Sequence, residues 1–166
     1  MWRVGFIALL SLLLAGCGGT SLPTIQGVEV VQSSGHSDGW PSHILLRVEV
    51  DNPSARIKLL SGRCRVSYAE RRVAMLTLED KVVVPARSRS VVLLPLHLAV
   101  QRNSQTLAFR EALQRHDASQ ITLDWQVALR SRMAYVSDEQ EPVPLSRVLG
   151  QERLQMLWQA IDEENK

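Results

Sequence analysis

A β-sandwich is the fold class that this sequence predicts, and three observations predict it. Several short segments alternate apolar and polar residues with a period of two. Turn-forming residues separate them at regular intervals, and only two stretches switch to helical spacing. The count is about seven short strands, which is the pattern of a sandwich rather than of a parallel α/β sheet.

The first strand is expected over Ile25–Val31. In the next, His43–Asp51, Leu46, Val48 and Val50 alternate with Arg47, Glu49 and Asp51, and Asn52-Pro53-Ser54 stops the run because proline cannot donate to a ladder and asparagine favours turns. Arg63–Tyr68 places Cys64, Val66 and Tyr68 on one face. Glu70-Arg71 can turn the chain so that Val73–Leu78 pairs back. Lys81–Val84 is a β-branched run ended by Pro85. Ser90–Leu98 is almost continuously apolar, which predicts a strand covered on both faces, with Pro95 marking an edge or bulge. Ile121–Leu129 is the clearest strand, with Ile121, Leu123, Trp125, Val127 and Leu129 on one side. Met133–Val136 and Val143–Leu145 predict two short closing strands.

Helical spacing occurs twice. Phe109, Ala112, Leu113 and His116 stand at i, i+3, i+4 and i+7 of a helix that crosses between strands and is capped by Asn103 or Ser104. Leu154, Leu157, Trp158 and Ile161 form an apolar stripe between Gly150 and Glu163, a C-terminal helix that either packs on the domain or docks a partner.

Charge excludes one class of partner. Lysine and arginine number 19 against 17 acidic residues, mixed along the chain, so no basic stripe points to nucleic acid. Arginines recur in close pairs, Arg63/Arg65, Arg71/Arg72, Arg87/Arg89 and Arg130/Arg132, read as solvated strand faces rather than an anion site.

The N-terminus has its own pattern. Arg3 precedes an apolar run from Val4 to Leu14, closed by small residues, which is the order of a secretory signal. The run is shorter than the roughly 20 residues that span a bilayer. Leu14-Ala15-Gly16-Cys17 resembles the lipobox of bacterial lipoproteins. That resemblance implies cleavage before Cys17 and acylation of its sulfur, with two or more chains needed for stable anchoring. Gly18 in place of aspartate implies the outer membrane in a Gram-negative cell, with the domain facing the periplasm. The divisions expected are a signal peptide over 1–16, a lipidated cysteine and tether over 17–24, the sandwich over 25–147 and the C-terminal amphipathic helix over 148–166. With Cys17 lipidated, Cys64 is the one remaining thiol; its strand position predicts burial.

The strand series also resembles a family. Leu46–Pro53, a strand ending in Asn-Pro, is similar to the signature of group-2 late embryogenesis abundant domains, also called WHy-type domains. Leu59–Tyr68, Arg71–Ala74, Lys81–Ala86, Ser90–Leu96, Ile121–Arg130 and Val143–Leu145 follow in the family's order. The resemblance implies an immunoglobulin- or fibronectin III-like β-sandwich, non-enzymatic and linked in plants to desiccation and stress. The polar insert Ser33–Gly39 and the C-terminal helix depart from the family pattern.

Candidate chemistry is thin. Ser34, His36 and Asp38 alternate in one loop, a geometry that does not converge into a triad, and there is no nucleophile elbow. His36, His43, His97 and His116 lack ligand spacing and read as surface or half-buried residues, not metal ligands. Asp138–Glu141 reads as a solvated turn rather than a calcium loop. No catalytic residue, metal or cofactor is therefore expected. The favoured expectation is a lipid-anchored binding or structural module with an envelope partner, contacting it through the arginine faces and through Leu154, Leu157, Trp158 and Ile161. The rival is lipid carriage, with Val91–Leu98 and the crossing helix lining a cavity.

Overall fold

The computed structural model describes residues 23–35, 40–131 and 135–164. The expected signal segment, Cys17 and most of the tether lie outside these residues, as do His36, Asp38 and Arg132.

The chain is mainly β, an antiparallel β-sandwich with two helices. Its strands are β1 (Thr24–Ser34), β2 (His43–Asn52), β3 (Ile57–Tyr68), β4 (Arg71–Leu78), β5 (Val82–Val84), β6 (Ser88–Val100), β7 (Ile121–Arg130) and β8 (Tyr135–Pro144). Helix α1 (Ser104–Gln114) crosses between β6 and β7, and α2 (Leu145–Glu164) follows β8. The ladder runs β1-β2-β6-β4-β3-β7-β8, with β5 added to β3.

The two halves of the sandwich join through β6. Its Ser88–His97 stretch pairs with β2, and Leu96–Val100 pairs with β4 on the other side. Pro95 lies one residue before the β4 ladder begins. In an extended strand a residue's N and O point the same way, and the Pro95 oxygen accepts from the Glu79 amide at 2.9 Å. The missing N–H therefore faces the place where β4 has just ended, so the proline costs no ladder bond.

One core forms between the halves. Leu46, Val48 and Val50 from β2, with Val92, Leu94, Leu96 and Leu98 from β6, meet Cys64, Val66, Val73 and Leu76 and the β7 row Ile121, Leu123, Trp125 and Val127. The alternation predicted for β2 and β7 is what buries these rows. Strand β6 departs from expectation: Val91 and Leu93 are half exposed, because among the described elements nothing covers the outer face of this half. Continuous apolarity there does not mean burial on both sides.

Other expectations need correction. The described residues form eight strands, close to the expected seven, and in place of two short closing strands there is one, β8, so Asp138–Glu141 sits in a strand and not a turn. Helix α2 begins at Leu145, inside the span expected to be sandwich. It is broken at Gly150, whose φ of 69° and ψ of 170° are reachable in practice by glycine alone. The β3–β4 turn is Ala69-Glu70, one residue earlier than expected, with both residues at positive φ. That is the geometry whose twist suits a two-residue hairpin.

Helix α1 starts at Asn103, whose Oδ1 accepts from the Thr106 amide at 3.0 Å. It ends in a Schellman pattern: Asp117 N donates to Ala112 O and His116 N to Leu113 O. The left-handed residue there is His116, at φ 58°, where glycine is usual. Phe109, Ala112 and Leu113 bury the inner face, with the Phe109 ring edge-on to Tyr68 at 6.3 Å.

The Asn-Pro break after β2 is a buried clamp. The Asn52 side chain is fully buried. Its Nδ2 donates to Pro85 O at 2.7 Å and to Ala55 O at 3.0 Å, and its Oδ1 accepts from Ser54 N at 3.1 Å. One amide thus ties the β2–β3 loop to the β5–β6 turn. Asn52→Ala should cost about 3 kcal/mol, since three buried partners are stranded. Asn52→Asp should cost more, because a carboxylate would face two carbonyl oxygens. Urea midpoints with unchanged slope would show this order, and an aspartate variant as stable as wild type would refute the clamp.

Candidate functional site

Two features stand at the joint where β2 and β6 approach α1. The first is a groove of roughly 480 Å³, open to solvent, walled by Trp40, Leu98, Val100 and Leu107 and bordered by Arg102 and Arg110. The Arg110 guanidinium sits 5.5 Å from the centroid of the Trp40 ring, within cation–π range. Leu107 projects from α1 and is 62% exposed, unusual for a large apolar side chain on a helix with a buried face. Gln101 also lines the groove; with its amide oxygen turned toward Arg72, that oxygen accepts from Nη2 at 2.8 Å and Nε at 3.2 Å.

The second feature is a side-chain cluster on the outer face of the sheet. His43 and His97 are register partners across β2 and β6, with ring centroids 5.2 Å apart. Glu79 follows the last residue of β4 and reaches His43, Oε1 to Nδ1, at 2.7 Å. Donor atoms of all three residues lie within 4.8 Å of one another. Both histidines are surface or half-buried, as expected from the sequence; what the sequence did not show is that they are neighbours. His43 and His97 are far apart in the chain and meet only because β6 pairs in register with β2, so no local spacing could reveal them.

The C-terminal stripe is not an open docking surface. Leu154 and Leu157 are buried, and Trp158 and Ile161 pack against the core. His116 secures this helix: its ring stacks on Trp158 at 5.1 Å and 18°, and its Nε2 meets Asp162 Oδ1 at 2.9 Å. These contacts give a physical reason for a histidine in a left-handed position. A partner could reach Leu157 only by undocking the helix.

The remaining candidates resolve simply. The arginine pairs are spread over several strands and turns, and Arg65 and Arg89 face Asp124 and Asp51 at 3.5 and 3.7 Å. Ser34 ends β1. Cys64 is buried as expected, and burial, with the negative charge of Asp124 adding to it, pushes its thiol up to about 12. A thiol held neutral in this way is inert as a nucleophile or ligand. Among the described residues, no helix is long and apolar enough to cross a membrane. Sequence reasoning missed Trp40, Leu107 and Arg110 as groove residues; the visible signal was Leu107 breaking the polar face of α1.

No family model matches the chain, and no curated protein matches it. Among solved structures, it is similar to the crystal structure of a protein from Archaeoglobus fulgidus, with TM-score 0.42, 12% identity, and coverage of 72% of this chain and 94% of that one. It is also similar to the GAE domain of yeast GGA1, with TM-score 0.31, 13% identity, and coverage of 71% and 90%. Likenesses of this strength say nothing about function.

Leu157→Ala should destabilise the fold by about 3 kcal/mol, the usual cost of emptying a buried leucine site. Chemical denaturation measures it; unchanged stability would return the stripe to the docking role.

Proposed function

We propose that this chain is a lipid-anchored binding module: a non-enzymatic β-sandwich tethered through Cys17 to the outer membrane and facing the periplasm. The lipobox-like Leu14–Cys17 supports the anchor. The groove between α1 and the β2–β6 joint supports the binding role and is the observation that carries the reading. It offers what recognition needs, an apolar wall with polar groups at its border. Its two arginines favour an acidic segment of an envelope protein, with Leu107 and Trp40 taking an adjacent apolar side chain. The resemblance to group-2 late embryogenesis abundant domains links such a module to envelope stress or desiccation tolerance.

Lipid carriage is the second reading, and the same groove favours it, because an apolar wall beside guanidinium groups also suits an acyl chain with an anionic head. In this reading the lipid sits at the surface groove, not between the sheets. Val92, Leu94, Leu96 and Leu98 pack into the common core, leaving the groove edge as the place for a lipid.

Two experiments test the proposal. Cys17→Ser should abolish incorporation of labelled fatty acid and release the protein from the membrane fraction; continued acylation or anchoring would reject the lipobox. A photocrosslinker at position 107, activated in intact cells, should give a discrete protein adduct that Arg110→Glu abolishes. A lipid adduct would favour the second reading, and absence of any adduct would overturn the groove as a binding surface.

A further inference from the structure

We infer that His43, His97 and Glu79 form a site for a divalent transition-metal ion of the zinc class. Two of the donors stand on paired strands, and the third follows directly on the end of β4. His43 opens β2 opposite His97, which also pairs with Thr77 of β4. Glu79 is held next to them by the hydrogen bond that its backbone N–H donates to Pro95 O at 2.9 Å. Cross-strand neighbours have Cβ atoms close enough for two imidazoles to share one ion.

The distances suit a small change of rotamer. Zinc takes imidazole nitrogen and carboxylate oxygen at about 2.0–2.2 Å, so tetrahedral donors stand roughly 3.3 Å apart. His43 Nδ1 and Glu79 Oε1 are now at 2.7 Å in a direct hydrogen bond, and the whole donor set lies within 4.8 Å. An ion entering between them opens the first distance and closes the others by side-chain rotation alone.

The donor chemistry selects the metal class. Two imidazoles and one carboxylate suit zinc and its late-transition neighbours, whereas calcium and magnesium require mostly oxygen. The side chains of His43 and Glu79 are 51% and 34% exposed, so an ion has an entry path and a fourth coordination position open to solvent. Three protein donors with one open position is the arrangement of zinc sites that bind an exogenous ligand.

Such an ion would join β2, β6 and the end of β4, donors that the unfolded chain holds far apart. It would therefore bind the folded state selectively and raise its melting temperature. The inference does not depend on the groove binding any partner.

The test uses the full chain without a histidine tag, carrying Cys17→Ser so that no N-terminal thiol competes, stripped with chelator and dialysed. Titration with zinc chloride should saturate at one ion per chain and raise the melting temperature. Cobalt(II) should give the intense visible absorption of a four-coordinate site. Nuclear magnetic resonance should show the imidazole signals of His43 and His97 shifting with zinc while those of His116 stay in place. Glu79→Gln and His97→Ala should weaken binding about 10-fold or more, since losing even an outer partner of a metal ligand costs that much. His116→Ala should bind as wild type. Absence of saturable one-to-one binding, unmoved His43 and His97 signals, or equal affinity in Glu79→Gln would each overturn the site. The resonance experiment needs no substitution at the site and so decides the matter even if a site variant fails to fold.

Discussion

The Asn52 amide is the interaction on which the rest of the architecture depends. It is buried at the corner where β2 ends, β3 begins, β5 ends and β6 begins. Its three bonds reach the backbone on both sides of that corner. Arg87 N donating to Ser54 O at 2.9 Å closes the same junction. Asn52 is also the register partner of Ser88, and from that pair the β2–β6 ladder runs without a bulge to His43 opposite His97. A slip of one residue would turn Leu46, Val48 and Val50 outward and separate the histidines. A clamp at one end of the ladder thus sets a side-chain cluster at the other.

Backbone strain collects where the chain must turn quickly. Ala69 and Glu70 accept positive φ so that β3 and β4 can pair over a two-residue turn, and the Ala69 amide is compensated by Gln120 O at 3.0 Å. His116 accepts it at the end of α1 and gains a stacked tryptophan and an aspartate from α2. At Gly150 no heavy atom lies within 4 Å of where a Cβ would stand, so backbone conformation alone requires glycine there. These positions bring α2 back onto the sandwich and place its apolar stripe in the core.

Both candidate sites occupy the same joint. The groove uses residues from the approach to β2, the end of β6 and the start of α1; the His-Glu cluster uses the start of β2, the last third of β6 and the residue after β4. Each draws on segment ends held by a rigid ladder, the usual way a scaffold presents binding groups. The outer surface of β6, with Val91 and Leu93 half exposed, continues from the cluster along the same face.

The strands were legible because half-buried β-structure writes its burial into the chain with period two. Leu46, Val48 and Val50, Cys64 and Val66, and the row from Ile121 to Val127 could be assigned inward from spacing alone, and the cap of α1 could be narrowed to Asn103 or Ser104. The lipobox-like run before Cys17 is equally local. Periodicity failed where burial depends on what lies across the sheet: it could not tell that Val91 and Leu93 face outward, or that Leu154 and Leu157 face a core rather than a partner. The groove and the His43–Glu79–His97 cluster were invisible for the same reason. Their members are joined by register and by a helix crossing, and the tertiary structure alone decides which distant residues become neighbours.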